Sequence, residues 1–178
     1  SFADMVSSDD MVNWTYHGVI NVKALAPWGM ASWAPSMLRA RSRRQNPLLS
    51  VLLQQRFRCR YADCHFPVGP WTDPLGKCVV DGNTPGLGKC KAPFDPGVVI
   101  DDKGIGWLSF GGGDSDDYIP GDARIVRLAN DMKTLDSEIV EIKAPYHFEA
   151  NELNYLNGTW IYTYNTNWKN RDAWPHKD

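Results

Sequence analysis

Short apolar stretches follow one another along the whole chain, with turns rich in Asp, Asn and Gly between them, and this spacing of strand-length segments predicts an all-β protein. Asp9–Thr15 reads as a turn leading into a strand at Gly18–Val22, and Ser7 to Val22 as the outer strands of a sheet. Val98–Ile100 and Trp107–Phe110 flank the turn Asp101–Gly104 as a hairpin. Gly111–Gly113 and Asp114–Asp117 make a polar loop, Ala123–Leu128 is the next strand, and Val140–Lys143 is an outer one. Leu153–Leu156 and Trp160–Tyr164 close on Asn157-Gly158, a dipeptide that accepts the positive φ angles of a tight hairpin turn. No amphipathic helix is predicted.

A short phrase recurs at the head of these apolar stretches: Trp33-Ala34-Pro35, Phe94-Asp95-Pro96 and Phe148-Glu149-Ala150, with 61 residues from Ala34 to Asp95 and 54 from Asp95 to Glu149. This period sits at the upper end of the roughly 40–50 residues of a four-stranded propeller blade. The first strand of each blade lines the central channel, so residues at one point of the repeat converge although they lie far apart in sequence. Asp95 and Glu149 are thereby expected to face each other. They are either turn-capping acids or the paired carboxyls of glycoside hydrolysis, in which one keeps a proton for the leaving oxygen and another activates water. One period before Ala34 falls ahead of Ser1, so the chain is expected to hold parts of blades 1 to 4, a truncated propeller with no signal peptide in it.

One segment breaks the pattern. Seven of the ten arginines lie between Arg39 and Arg60, where the repeat calls for a turn and an aromatic strand. A basic nucleic-acid patch, an inserted helix and a shifted reading frame compete to explain it. Reading the codons one base later accommodates a turn followed by aromatic, strand-forming residues that run into the intact Pro67-Val68-Gly69-Pro70-Trp71. Residues 41–66 are therefore expected to be a frameshifted segment within a partial propeller domain spanning 1–178.

Composition narrows the function classes. The chain has 178 residues, 43% of them hydrophobic, with no apolar run of membrane-spanning length and a net charge of −2 that favours neither nucleic acid nor a membrane as partner. Eight tryptophans and seven tyrosines supply flat faces suited to sugars or to a core. Cys59, Cys64, His65 and Cys78 lack zinc-finger spacing, and a Cys78–Cys90 disulfide is conceivable in a secreted protein. Asp114, Asp116 and Asp117 could offer oxygen ligands to calcium but read as a solvated loop, so no metal and no cofactor is expected. Asn13-Trp14-Thr15 and Asn157-Gly158-Thr159 are glycosylation sequons. His17, His147 and His176 show no partner spacing and read as structural or exposed.

The motifs together resemble glycoside hydrolase family 43, five-bladed propellers that cleave arabinose and xylose from plant polysaccharides. The resemblance is carried by Asp10-Met11-Val12-Asn13-Trp14-Thr15 with His17-Gly18, Trp33-Ala34-Pro35-Ser36, Trp71-Thr72-Asp73-Pro74-Leu75-Gly76-Lys77, Phe94-Asp95-Pro96, Gly111-Gly112-Gly113, Asp131-Met132 and Ala144-Pro145 with Phe148-Glu149. It implies that Glu149 is the general acid, that Asp95 orients it and holds its pKa up, and that the general base, an aspartate of the first blade, is absent from this chain. It further implies inversion of configuration and an aromatic sugar site including Trp168 and Trp33, with Phe94 and Phe148 beside the acids. Thr84-Pro85-Gly86, Phe94-Asp95-Pro96 and Ala144-Pro145 are most similar to α-L-arabinofuranosidases acting on arabinoxylan; a β-xylosidase or a non-catalytic sugar-binding propeller is the alternative. The implied protein is a secreted monomer that meets plant cell-wall polysaccharide, and this chain alone is expected to be inactive. Lys89-Cys90-Lys91-Ala92 departs from the family's apolar run ahead of Phe94, which bears on the aim of Asp95.

Overall fold

The computed structural model describes residues 2–25, 27, 33–41, 47–55, 58–64 and 69–166, and these build four antiparallel sheets in chain order. β1 (Phe2–Ser7) pairs with β2 (Thr15–Asn21), which runs into the single helical turn α1 (Val22–Leu25). β3 (Trp33–Arg41), β4 (Pro47–Gln55) and β5 (Arg58–Cys64) make the second sheet. β6 (Gly97–Ile100), β7 (Gly106–Phe110), β8 (Arg124–Arg127) and β9 (Val140–Glu141) make the third, and β10 (His147–Leu156) with β11 (Thr159–Thr166) the fourth. Within each sheet every strand is bonded to its chain neighbour, and the second, third and fourth sheets meet through their first strands, β3 on β6 and β6 on β10. Meanders joined at their inner strands are blades around a channel, so the all-β propeller expected from the repeat is the fold observed.

The main core lies between the second and third sheets. Val98, Leu108, Phe110, Val126 and Leu128 point into it at every second position of their strands and meet Leu38, Val80 and Leu87. Trp107 and Ile125, on the opposite face, stay partly exposed. Asp101 organises the β6–β7 turn by accepting the N–H groups of Lys103 and Ile105 (3.0 and 2.9 Å) and the Trp107 Nε1–H (3.0 Å). Asn157 and Gly158 both adopt positive φ, 50° and 82°, as the β10–β11 hairpin requires.

The arginine-rich stretch contains no inserted helix where it is described, because 47–55 and 58–64 are the strands β4 and β5. Cys59 is wholly buried in the main core, donating its N–H to Val80 C=O (2.9 Å) and accepting that of Val79 (3.0 Å). Burial pushes its thiol well above the usual range. The four cysteines form no disulfide, so the conceivable Cys78–Cys90 bridge is not made. Among the described residues no helix is long and apolar enough to cross a membrane.

Candidate active site

The recurring phrase is a left-handed kink on an inner strand or at its entry. Ala34, Asp95 and Ala150 have φ of 41°, 49° and 54°, a region that costs a residue with a Cβ about 1–2 kcal/mol and persists only where the surroundings hold it. The shared conformation corrects the repeat by one residue, since the counterpart of Asp95 in the third copy is Ala150. Glu149 stands just ahead of the kink, between two register irregularities in β10. The two acids are therefore not repeat equivalents, yet they come together: the Ala150 N–H donates to Asp95 Oδ2 at 2.6 Å, and the Asp95 charge acts on Glu149.

Two residues beyond each kink the inner strands touch. Ser36 accepts the Val98 N–H (3.2 Å) and donates to the Glu152 carboxylate (3.3 and 3.4 Å to its oxygens). A Cβ at the matching position, Gly97, would lie 2.9 Å from Leu153 N and 3.0 Å from Glu152 Cα. Glycine is required there because the β10 backbone and the Ser109 hydroxyl, 2.7 Å from such a Cβ, leave no room for a side chain.

The Gly111–Gly113 loop fastens both acid-bearing phrases. Gly111 N–H donates to Phe94 C=O (2.9 Å), Gly113 N–H to Phe148 C=O (3.0 Å), and Asn151 Nδ2–H to Gly111 C=O (3.1 Å). Side chains are excluded at all three positions: a Cβ at Gly111 would meet the Asp122 carbonyl, one at Gly112 the Phe94 ring, and one at Gly113 would lie 2.6 Å from Asp122 Oδ2. Phe94 and Phe148 are partly buried and meet the loop through these carbonyls. Ahead of Phe94, Cys90 and Ala92 are buried while Lys89 and Lys91 are exposed, so alternation replaces the apolar run, and Asp95 accepts the Ala150 N–H.

Burial raises the Asp95 carboxyl, opposed by the Ala150 N–H and by His147. Burial also raises Glu149, and the Asp95 charge raises it further. Glu152 is raised by burial, against the Leu153 N–H, Ser36 and the Val98 N–H. A carboxyl that holds its proton more tightly folded than unfolded contributes stability fully present below the unfolded value, near pH 4, and lost as pH rises through the folded value. Asp101 and Asp131 act oppositely: at both, a burial penalty is outweighed by hydrogen bonds, from Trp107, Ile105 and Lys103 at Asp101 and from Lys133 and Thr134 at Asp131. Their contribution is present above pH 4 and lost below it. The melting temperature is therefore expected to be higher at pH 5 than at pH 8, by roughly 2–4 °C, the shift that about 1 kcal/mol produces in a domain of this size. Scanning calorimetry of the chain and of an Asp95→Asn, Glu149→Gln, Glu152→Gln variant checks this, and a pH 5 advantage that survives undiminished in the variant would refute the assignment.

Sequence reasoning missed His147 as a site neighbour. It is 1% exposed and shares a 2.9 Å hydrogen bond between Nδ1 and Asp122 Oδ1, while Nε2 faces the Tyr162 hydroxyl at 3.2 Å and the ring lies against Tyr162 and Tyr164. A separation of 25 residues leaves no local signal for such a pair. His17, by contrast, bonds Ser7 at the surface. Trp33 opens β3, and Trp168 and His176 lie outside the described residues. Asp114, Asp116 and Asp117 are exposed, and among the described residues no three His, Cys, Asp or Glu side chains form a metal-binding group.

The sequence profile described as glycosyl hydrolases family 43 matches residues 2–168. The chain belongs to that family. An arabinoxylan arabinofuranohydrolase of Paenibacillus polymyxa is 34% identical in an alignment 175 positions long that covers 90% of this chain and 28% of that protein. The family 43 arabinoxylan arabinofuranohydrolase of Bacillus subtilis, solved with cellotetraose, superposes with a TM-score of 0.85 at 35% identity, over 92% of this chain and 37% of that one. An α-L-arabinofuranosidase of Clostridium thermocellum superposes with a TM-score of 0.80 at 31% identity, over 93% of this chain and 53% of that one. The family 43 chain thus spans only about a quarter to a half of these relatives.

Proposed function

We propose that this chain carries the acid half of an arabinoxylan-acting α-L-arabinofuranosidase. The observation that carries the reading is that buried Asp95 accepts the N–H of Ala150, the residue after Glu149; burial, and then the Asp95 charge, raise Glu149, the condition for a carboxyl that stays protonated until it gives its proton to a leaving oxygen. Glu149 is the general acid, and Asp95, anchored on the Ala150 N–H, orients it. Direct displacement needs a second carboxylate, about 6.5–9.5 Å from the acid, to activate water. Among the described residues Asp95 is the charge that acts on Glu149, and it already serves as the orienter, so the base is assigned to a part of the propeller beyond these residues. The relatives named above support arabinoxylan as the substrate, and secretion is the reading consistent with a polymeric substrate.

By this reading the 178-residue chain alone releases no arabinose from arabinoxylan. Extended by the blades that its relatives carry beyond it, it releases arabinose rather than xylose, and proton NMR of the first product shows the inverted anomer. Xylose as the main product would transfer the reading to a β-xylosidase. Sugar binding without any release would make the protein a non-catalytic propeller.

A further inference from the structure

Glu149 sits on a stretch of β10 that its own ladder does not hold. His147 pairs with Thr166, Glu149 with Asn165 and Glu152 with Thr163, so β10 carries one more residue than β11 on each side of Glu149. The extra residue of such a bulge is left out of the ladder, and the direction of the side chains around it depends on what else fastens the strand. Ahead of Glu149 the Gly113 N–H donates to Phe148 C=O, and just after it the Ala150 N–H donates to Asp95 Oδ2.

The second irregularity ends on Glu152, a half-buried carboxyl that the proton transfer does not use. Its Oε2 and Oε1 accept the Ser36 hydroxyl at 3.3 and 3.4 Å, and Oε1 also accepts the Leu153 N–H at 3.2 Å. Ser36 Oγ in turn accepts the Val98 N–H at 3.2 Å, so one hydroxyl ties β3, β6 and β10 together at one level. Ser36 is buried, which shields the tie from water. Gly97 closes the other side, since a Cβ there would lie 3.0 Å from Glu152 Cα. The bulge therefore has backbone packed against it at Gly97 and a tether at Ser36.

We propose that Glu152, held by Ser36, is a positioning residue for Glu149: the tie closes the second bulge of β10 and so fixes the direction in which the acid three residues earlier points. Asp95 pins the 150–152 stretch at Ala150, and Ser36 pins it at Glu152. With one pin removed the stretch is free to turn about the other, and a displacement of about 1 Å at the acid is enough to cost about 10²-fold in rate. The inference rests on the acid role of Glu149, but its first measurement needs no substrate. A tie that behaves as below, in a protein whose extended form never releases arabinose, would sink the proposed function and leave the tie standing.

The test is amide hydrogen exchange, read by NMR, on the full 178-residue chain and its Glu152→Ala, Glu152→Gln and Ser36→Ala variants. Exchange of the Ala150 N–H is expected to quicken by about tenfold in the two alanine variants, roughly the worth of one hydrogen bond. The Leu128 N–H, bonded to Gly106 C=O beside the main core, is expected to exchange as in the wild type. Glutamine keeps a carbonyl for the Oε1 position, where Ser36 and Leu153 both donate, so Glu152→Gln is expected to match the wild type. In the chain extended by its relatives' further blades, Glu152→Ala is expected to lower kcat by about 10²-fold at an unchanged KM, and Glu152→Gln to recover most of it. An unmoved Ala150 amide, an increase shared by Leu128, a glutamine variant that behaves like the alanine one, or an unchanged kcat in an active extended enzyme would each overturn the proposal. If Glu152→Ala does not fold, Ser36→Ala gives the same readings; if neither folds, the contact is a folding determinant and the positioning role falls.

Discussion

Glu149→Gln, made in the chain extended by its relatives' further blades, should lower turnover of arabinoxylan by about 10²–10⁴-fold, the usual worth of a positioned general acid, with little change in KM. The amide keeps the size and much of the hydrogen bonding of the carboxyl but has no proton to give. Its loss is felt when the leaving group is a poor one, such as a xylan hydroxyl. On an aryl arabinofuranoside whose phenolate departs without protonation, the same variant should retain most of its activity. Steady-state rates on the two substrates make the comparison. Equal losses on both would mean that Glu149 shapes the pocket without donating a proton, and the acid role would fall.

Gly111→Ala should be the most destabilising small substitution at the site, by about 3–5 kcal/mol from strain and overlap together. Gly111 has φ of 132°, and an added Cβ would meet the Asp122 carbonyl, with Ala123 Cα 3.1 Å away. Relief would draw the loop off Phe94 and Asn151 and loosen the entry to both acids. Gly158→Ala is the internal control: φ is 82°, nothing lies within 4 Å of the added Cβ, and only the conformational cost of about 1 kcal/mol applies. Thermal melts should separate the two by about 10 °C. Comparable melting temperatures would show that the glycine loop is not the clasp described.

Near this clasp the Asp122–His147 pair links the loop to the acid strand. Asp122 presents its carbonyl toward Gly111, its Oδ2 toward Gly113 and its Oδ1 to His147. One residue thus bounds the glycine loop and holds the imidazole that acts on Asp95.

What the chain determined by its letters alone is everything local or periodic. Alternation set the strands from Gly97 to Leu156, Asn157-Gly158 set a hairpin, and the spacing of Trp33, Phe94 and Phe148 set the blade repeat and brought Asp95 and Glu149 under suspicion. These follow from side-chain periodicity and turn sterics, which act over a few residues. Only the tertiary structure decided that the third kink falls on Ala150, that Ser36 reaches Glu152 across 116 residues, and that His147 rests on Asp122 beside Asp95. Those contacts join different blades at the channel, where placement depends on how whole sheets pack, and no periodicity within one strand encodes it.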